Sequence, residues 1–339
     1  MSLYPLPIAQ IHRNADSAAA PMAGSAHVWW DEINIRDDRG HTEFSLSSEV
    51  TPELRARLSD PRPDLCGLTL DRPRLMGILN VTPDSFSDGG EHSTLNRAVA
   101  HARAMSEHVD ILDIGGESTR PGAVEIPVPV ETARVLPVIR AIRAEGITTP
   151  ISIDTRKAAV AEAALDAGAD MVNDVTALRW DADMAPLLAE RGVPVCLMHS
   201  VADPETMQAH ATYDNVLHEV YDHLAERLEA ADKAGIAFDR IITDPGIGFG
   251  KTLDHNLELL RGLALFHGLG APVLLGASRK RFIGTIAGAD DPMSDRMPGS
   301  VAVALHAAAQ GVHILRVHDT GETRQALDLW QALAGQNEA

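Results

Sequence analysis

Between residues 75 and 317 the chain repeats one pattern. Short apolar runs, nearly all ending in a polar residue or a polar loop, alternate with longer stretches of helical periodicity. The runs are residues 75–80, 111–114, 151–154, 171–174, 195–198, 241–244, 273–276 and 314–317, eight in all. Runs this short and apolar on both faces suit parallel strands buried between layers. Helical stretches such as 96–107, 130–144, 157–166, 214–233, 253–265, 300–310 and 323–334 lie among them. Eight consecutive strand–helix units predict an α/β fold, a (β/α)8 TIM barrel, over an open doubly wound sheet.

The first 65 residues do not share this pattern and read as an N-terminal extension, an arm with a hairpin; the barrel takes 66–339. Residues 17–26 (SAAAPMAGSA) have the composition of a linker or flexible arm. Residues 28–35 and 41–47 are strand-like, and Asp37 to Gly40 supply turn chemistry for a hairpin between them. Thr51, Pro52 and Glu53 read as a helix start, with Thr as the cap and Pro in the first turn. Trp29 and Trp30 predict that the extension docks, on its own chain or on a dimer mate.

Composition narrows the function classes. With 29 Lys+Arg against 48 Asp+Glu the formal net charge is −19, which argues against sequence-independent nucleic-acid binding. No run approaches the ~18 apolar residues of a membrane helix, and residues 1–14 lack a secretory signal pattern. Two cysteines, Cys66 and Cys196, make no disulfide framework and suit a reducing, cytoplasmic setting. No C-x-x-C or H-E-x-x-H metal motif occurs. The expected partners are small molecules, not nucleic acid or membrane.

In a barrel of this kind the strand C-termini form the active-site face. Here they carry Asn80, Asp113, Asp154, Asn173 with Asp174, His199, Asp244, Ser278, and Arg316 with His318. Each alone could be a turn residue. Together they predict a site. Arg120, Lys280, Arg316 and His318 bring cations to one mouth of an acidic protein, as a diphosphate requires. Arg316 and His318, two apart on a strand, share a face. The competing reading of Arg279-Lys280-Arg281 is a solvated basic run at a helix start. Asp113, Asp154, Asn173, Asp174 and Asp244 suit a flat heterocycle rich in N–H donors. Asn80 with phosphate oxygens could hold Mg2+, which takes few protein ligands. Glycines after the strand ends, including Gly246, Gly248 and Gly250, allow close backbone approach but make no dinucleotide fingerprint. Residues 82–88 form a polar loop containing Phe86, either a lid or an ordinary surface loop. Cys196 lies within an apolar strand and reads as core, and no nucleophile elbow is present. A diphosphate site without a protein nucleophile points to displacement of diphosphate by a second substrate.

These residues sit in segments that resemble the dihydropteroate synthases. The two long signatures are LMGILNVTPDSFSDGG from Leu75 and DIGGESTRPGA from Asp113. SIDTR, VND, VCLMH, DPGIGFGK, GASRK and ILRVHD follow in order, so the likeness spans Cys66 to Trp330. The resemblance implies a transferase of folate biosynthesis, a homodimeric (β/α)8 barrel using Mg2+. It would join 4-aminobenzoate to 6-hydroxymethyl-7,8-dihydropterin diphosphate, giving 7,8-dihydropteroate and diphosphate. It assigns the pterin pocket to Asp113, Asp154, Asn173, Asp244 and Lys280. The diphosphate site falls to Asn80, Arg120, Arg316 and His318, with Asn80 also near the metal. The aminobenzoate pocket falls to Thr119, Pro121, Phe249, Ser278 and Phe86. Asp113, Asp154, Lys280, Arg316 and His318 would carry the chemistry. In this family the C–O bond to diphosphate breaks largely before the amine attacks.

Two departures stand out. About 60 residues precede the usual start, and His199-Ser200-Val201 replaces the usual residues of the fifth strand's loop. Two other readings share the barrel. A pterin-dependent methyltransferase would lack the S-T-R-P-G and S-R-K segments. A non-catalytic pterin-binding paralogue would have lost Lys280, Arg120 or the loop around Asp84–Phe86. All are present here.

Overall fold

A computed structural model describes residues 3–13, 18–39, 41–81, 91–118, 122–202, 206–288 and 295–334. The extension contains β1 (Leu3–Pro7), β2 (Ala20–Pro21), β3 (Trp29–Trp30), β4 (Glu32–Asp37) and β5 (Thr42–Leu46), then α1 (Pro52–Ser59). β4 pairs antiparallel with β5, the expected hairpin, and with β1 on its other side. The single strand expected over 28–35 is instead two. β3 pairs with β2 in a separate ribbon, and the chain turns at Asp31 before β4. Helix α1 begins as its sequence dictates: Thr51 Oγ1 accepts from Leu54 N at 3.3 Å and Pro52 opens the first turn.

Residues 18–26 are no linker. Met22 and Ala23 are fully buried. Small residues serve close packing here: a Cβ on Gly24, whose φ is +76°, would stand 2.4 Å from Pro61 Cα. Trp30 is fully buried beside Met22, Ile33, Leu58 and the barrel's Ala264, and its indole N–H donates to Ser59 Oγ at 3.1 Å. Tyr4 stacks on His218 with ring centres 3.7 Å apart and donates to Asp222 Oδ2 at 2.8 Å. The extension therefore packs on its own barrel.

The barrel strands are β6 (Arg74–Asn80), β7 (Ile111–Gly115), β8 (Ile151–Asp154), β9 (Met171–Asp174), β10 (Val195–Met198), β11 (Ile241–Asp244), β12 (Leu274–Leu275) and β13 (Ile314–Val317). They pair in parallel in the order β11-β10-β9-β8-β7-β6-β13-β12. A parallel bridge from Thr243 to Val273 joins the two ends and closes the ring. The α/β, (β/α)8 reading of the sequence is the fold observed.

Helices α2 (Glu91–Ser106), α3 (Val128–Ala144), α4 (Ala158–Asp166), α5 (Met184–Arg191), α6 (Val216–Lys233), α7 (Leu253–Arg261), α8 (Arg281–Ala287), α9 (Met297–Ala309) and α10 (Thr320–Leu333) surround it. Helix α7 stops at Arg261, earlier than its pattern suggests, and the chain continues as a 3-10 turn over Leu263–Leu269. One core lies between strands and helices. A second closes the barrel floor, where Met76, Ile111, Met171, Cys196, Ile242, Leu274 and Ile314 meet Leu65 and Leu70 from the segment leading into β6. Cys196 belongs to this floor, and burial raises its thiol pKa well above the usual range. With the floor sealed, ligand access is confined to the opposite, C-terminal end of the strands.

Candidate active site

At that open end β7, β8, β9 and β13 converge on one ionic knot. Arg316 donates from Nε to Asp113 Oδ2 at 2.6 Å and from Nη2 to Asp154 Oδ2 at 2.7 Å. Asn173 Nδ2 stands 3.5 Å from the same Asp113 oxygen. Gly276, just past β12, leaves room beside Arg316 Cδ. Asp113 is wholly buried and Asp154 nearly so. Burial raises Asp154 to about 7, against the pull of Arg316 and with repulsion from Asp113. Burial also works against the charge on Arg316, but Asp113 and Asp154 outweigh it and hold its pKa above the ordinary range. The outer oxygens, Asp113 Oδ1 and Asp154 Oδ1, accept no hydrogen bond from the described residues.

Asp244 and Lys280 form the opposite wall. Asp244 Oδ1 accepts from Gly246 N at 2.7 Å. Burial raises its pKa, and Lys280 moderates the rise. The left-handed turn at Arg279, φ +58°, reverses the chain ahead of Lys280. Lys280 then donates to the Ile247 carbonyl and places its Nζ 4.5 Å from the centre of the Phe249 ring. Burial lowers Lys280 to about 7, against the attraction of Asp244. The basic tripeptide is thus divided. Arg279 pairs with Asp319, Lys280 turns inward, and Arg281 is exposed.

Ser278 and His318 meet as neighbours on adjoining elements. Ser278 Oγ accepts from His318 N at 3.2 Å and lies 3.1 Å from its Nδ1. Asn80 ends β6 half-buried, and it and Asp154 flank Gly115, each within 4 Å of where a Cβ would stand. Asp174 does not face the site. It holds its own loop, accepting from Thr176 N, Thr176 Oγ1 and Leu178 N at 2.8, 2.6 and 2.7 Å. Phe86, Thr119, Arg120 and Pro121 lie outside the described residues.

Two further buried clusters join side chains that lie far apart in the sequence. Lys157 Nζ lies between Glu117 Oε1 at 3.0 Å and Glu131 Oε2 at 2.6 Å, and donates to the Ile126 carbonyl at 2.7 Å. Lys251 Nζ bonds His199 Nδ1 at 2.9 Å and the Phe249 carbonyl at 3.0 Å. A surface cleft of about 760 Å3 shares none of these residues; Leu3, Arg57, Tyr221 and Phe238 line it together with charged side chains such as Asp222 and Glu229.

Residues 76–318 match the pterin binding enzyme family. The Escherichia coli K12 dihydropteroate synthase is 47% identical over 266 residues, covering 78% of this chain and 93% of that one. The chain belongs to the dihydropteroate synthase family. The Haemophilus influenzae dihydropteroate synthase is 43% identical over 268 residues, covering 79% of this chain and 96% of its own. Among solved structures, the Xanthomonas albilineans dihydropteroate synthase with 4-aminobenzoic acid is 50% identical with a TM-score of 0.75. It covers 80% of this chain and 98% of its own. The same enzyme in complex with 7,8-dihydropteroate is 48% identical with a TM-score of 0.72, at the same coverage. Members of the dihydropteroate synthase family are transferases, and neither the methyltransferase nor the non-catalytic reading is favoured by these relatives.

Proposed function

We propose that this chain condenses 4-aminobenzoate with 6-hydroxymethyl-7,8-dihydropterin diphosphate, releasing diphosphate and forming 7,8-dihydropteroate. The reading is carried by two buried carboxyl oxygens, Asp113 Oδ1 and Asp154 Oδ1, to which no described residue donates a hydrogen bond. A pterin edge presents ring and amino N–H donors to such acceptors, and Asn173 adds an amide. Lys280, across the pocket, supplies a donor for the ring's acceptor atoms. Arg316 holds the two carboxyl groups in place, so their oxygens face the carbon that becomes cationic as the C–O bond breaks. His318 and Ser278 stand at the mouth, with His318 toward the leaving diphosphate. Phe249 offers an apolar wall to the aminobenzoate ring. The amine nitrogen then forms the C–N bond, and its proton leaves with diphosphate or solvent. Arg120, Thr119, Pro121 and Phe86 take the phosphate and aminobenzoate roles that the family resemblance implies.

Mg2+ fits the donor chemistry at Asn80. Its side chain is a half-buried oxygen donor beside Asp154, and a hard cation with few protein ligands takes the rest from water and phosphate. Among the described residues no group of three His, Cys, Asp or Glu could hold a metal, so Asn80 would share the ion with substrate. When bound, the ion would offset the charge of the leaving diphosphate.

A homodimer is supported by Ile286, Leu329 and Leu333, apolar side chains exposed on α8 and α10, the helices on either side of α9. A reducing, cytoplasmic setting is supported by two unpaired cysteines. Among the described residues no helix is long and apolar enough to cross a membrane. A product assay on Lys280→Ala tests the site. The account expects a loss of at least ~100-fold in turnover, and undiminished turnover would remove Lys280 from the reaction.

A further inference from the structure

The glycine-rich loop after β11 is held from two sides by two lysines. Lys280 donates to the Ile247 carbonyl from the pocket side. Lys251 donates to the Phe249 carbonyl, two residues on, at 3.0 Å. Of these two lysines, Lys280 is the one whose Nζ stands over the Phe249 ring, 4.5 Å from its centre. Lys251 is 4% exposed, and its other bond runs to His199 Nδ1 at 2.9 Å. His199 also anchors the loop through its backbone. Its N–H donates to the Asp244 carbonyl at 2.9 Å. Its own carbonyl lies so close to Gly246, φ +67°, that a Cβ there would stand 2.0 Å away. The loop is thus seated on the end of β10, and Lys251 is the side-chain fastening that fixes the residue carrying the ring.

A buried lysine with two directed bonds to a loop is costly to desolvate and adds nothing to apolar packing that a methionine would not. What it adds is direction: one N–H fixes one carbonyl, and that carbonyl fixes the ring. We infer that Lys251, held by His199, is a positioning residue that sets the Phe249 ring against Lys280 and thereby tunes the aminobenzoate pocket. Lys251 itself touches no substrate. The inference rests on the proposed placement of aminobenzoate against Phe249.

Steady-state kinetics of the full-length chain test it, with Lys251→Met, Phe249→Ala and the double variant measured against both substrates. Lys251→Met should raise the KM for 4-aminobenzoate by about tenfold, with kcat and the KM for pterin diphosphate moving less than about threefold. In the Phe249→Ala background the same substitution should add less than about twofold, because its route of action is gone. An unchanged KM in Lys251→Met overturns the inference. So does an undiminished effect in the Phe249→Ala background, or a parallel fall in kcat and in both substrates' binding, which marks a general structural role. Phe249→Ala with an unchanged KM for 4-aminobenzoate overturns the pocket assignment first and this inference with it. If Lys251→Met does not fold, His199 carries the test. His199→Asn keeps an acceptor for Lys251 and should stay near wild type, while His199→Leu should raise the same KM. Equal behaviour of those two variants overturns the inference.

Discussion

Arg316 and Asp113 are 203 positions apart in the chain, and their side chains meet at 2.6 Å inside the barrel mouth. The same guanidinium reaches Asp154 at 2.7 Å. One cation thereby bridges two carboxyl groups from adjacent strands. The proposed site and the fold's stability are therefore interdependent.

Removing Arg316 should therefore damage both. Arg316→Met leaves two buried carboxylates unpaired, which costs on the order of 3–5 kcal/mol. Urea unfolding should show that loss together with loss of product formation. Pairing it with Asp154→Asn should return part of the stability and none of the activity. Wild-type stability in Arg316→Met would contradict the knot.

Asp154 should give stability a signature in pH. Its pKa is about 7 in the fold against an ordinary value of 3.8, chiefly through burial. Between those values the folded chain holds a proton that the unfolded chain has lost. Stability from this group is therefore full below about pH 4 and falls as pH rises towards 7, by on the order of 2–4 kcal/mol. Comparing denaturant midpoints of wild type and Asp154→Asn across pH 4–8 checks the slope, which the variant should lack. Identical slopes would place the titration elsewhere.

Lys280 should govern ligand binding from the alkaline side. Burial lowers it to about 7, so the free site loses this cation as pH rises past that point. Calorimetric affinity for the pterin diphosphate should weaken from pH 7 to 9 in wild type. The Lys280→Arg chain should keep its affinity to higher pH, since a guanidinium stays charged. A parallel decline in both chains would assign the effect to the ligand's own ionisation.

The extension should stabilise the barrel. Trp30 is fully buried against Met22, Ile33, Leu58 and Ala264. Trp30→Ala should cost about 3–5 kcal/mol, read from thermal or urea unfolding. Limited proteolysis of the native chain should be slow within residues 18–60. Rapid removal of that segment with no change in barrel stability would show that it does not dock.

The sequence disclosed most of this architecture because buried parallel strands carry their signal locally. β8, β9, β10, β11 and β13 begin and end where their apolar runs do. Asp154 and Asp244, which close two of those runs, and Asn173 and Arg316, one residue before the end of two others, are among the residues that converge. Helices α5 and α8 were not legible, since 8 and 7 residues give too few turns for periodicity to rise above neighbouring loops. Residues 18–26 misled because small residues signal flexibility in sequence, yet they also permit the tight packing of Met22 and Gly24. Asp174 resembled its neighbours by spacing, but its bonds to Thr176 and Leu178 turn it away. The sequence placed Lys251 at the end of DPGIGFGK and His199 at a strand end but did not show that they pair, because they are 52 positions apart.

The central claim is the condensation itself. The purified chain is incubated with 6-hydroxymethyl-7,8-dihydropterin diphosphate, 4-aminobenzoate and Mg2+, diphosphate release is followed, and the product is identified by mass. 7,8-Dihydropteroate and diphosphate should appear in equal amounts, and only when both substrates are present. Pterin binding without product, from a chain whose unfolding shows it to be intact, would contradict that claim.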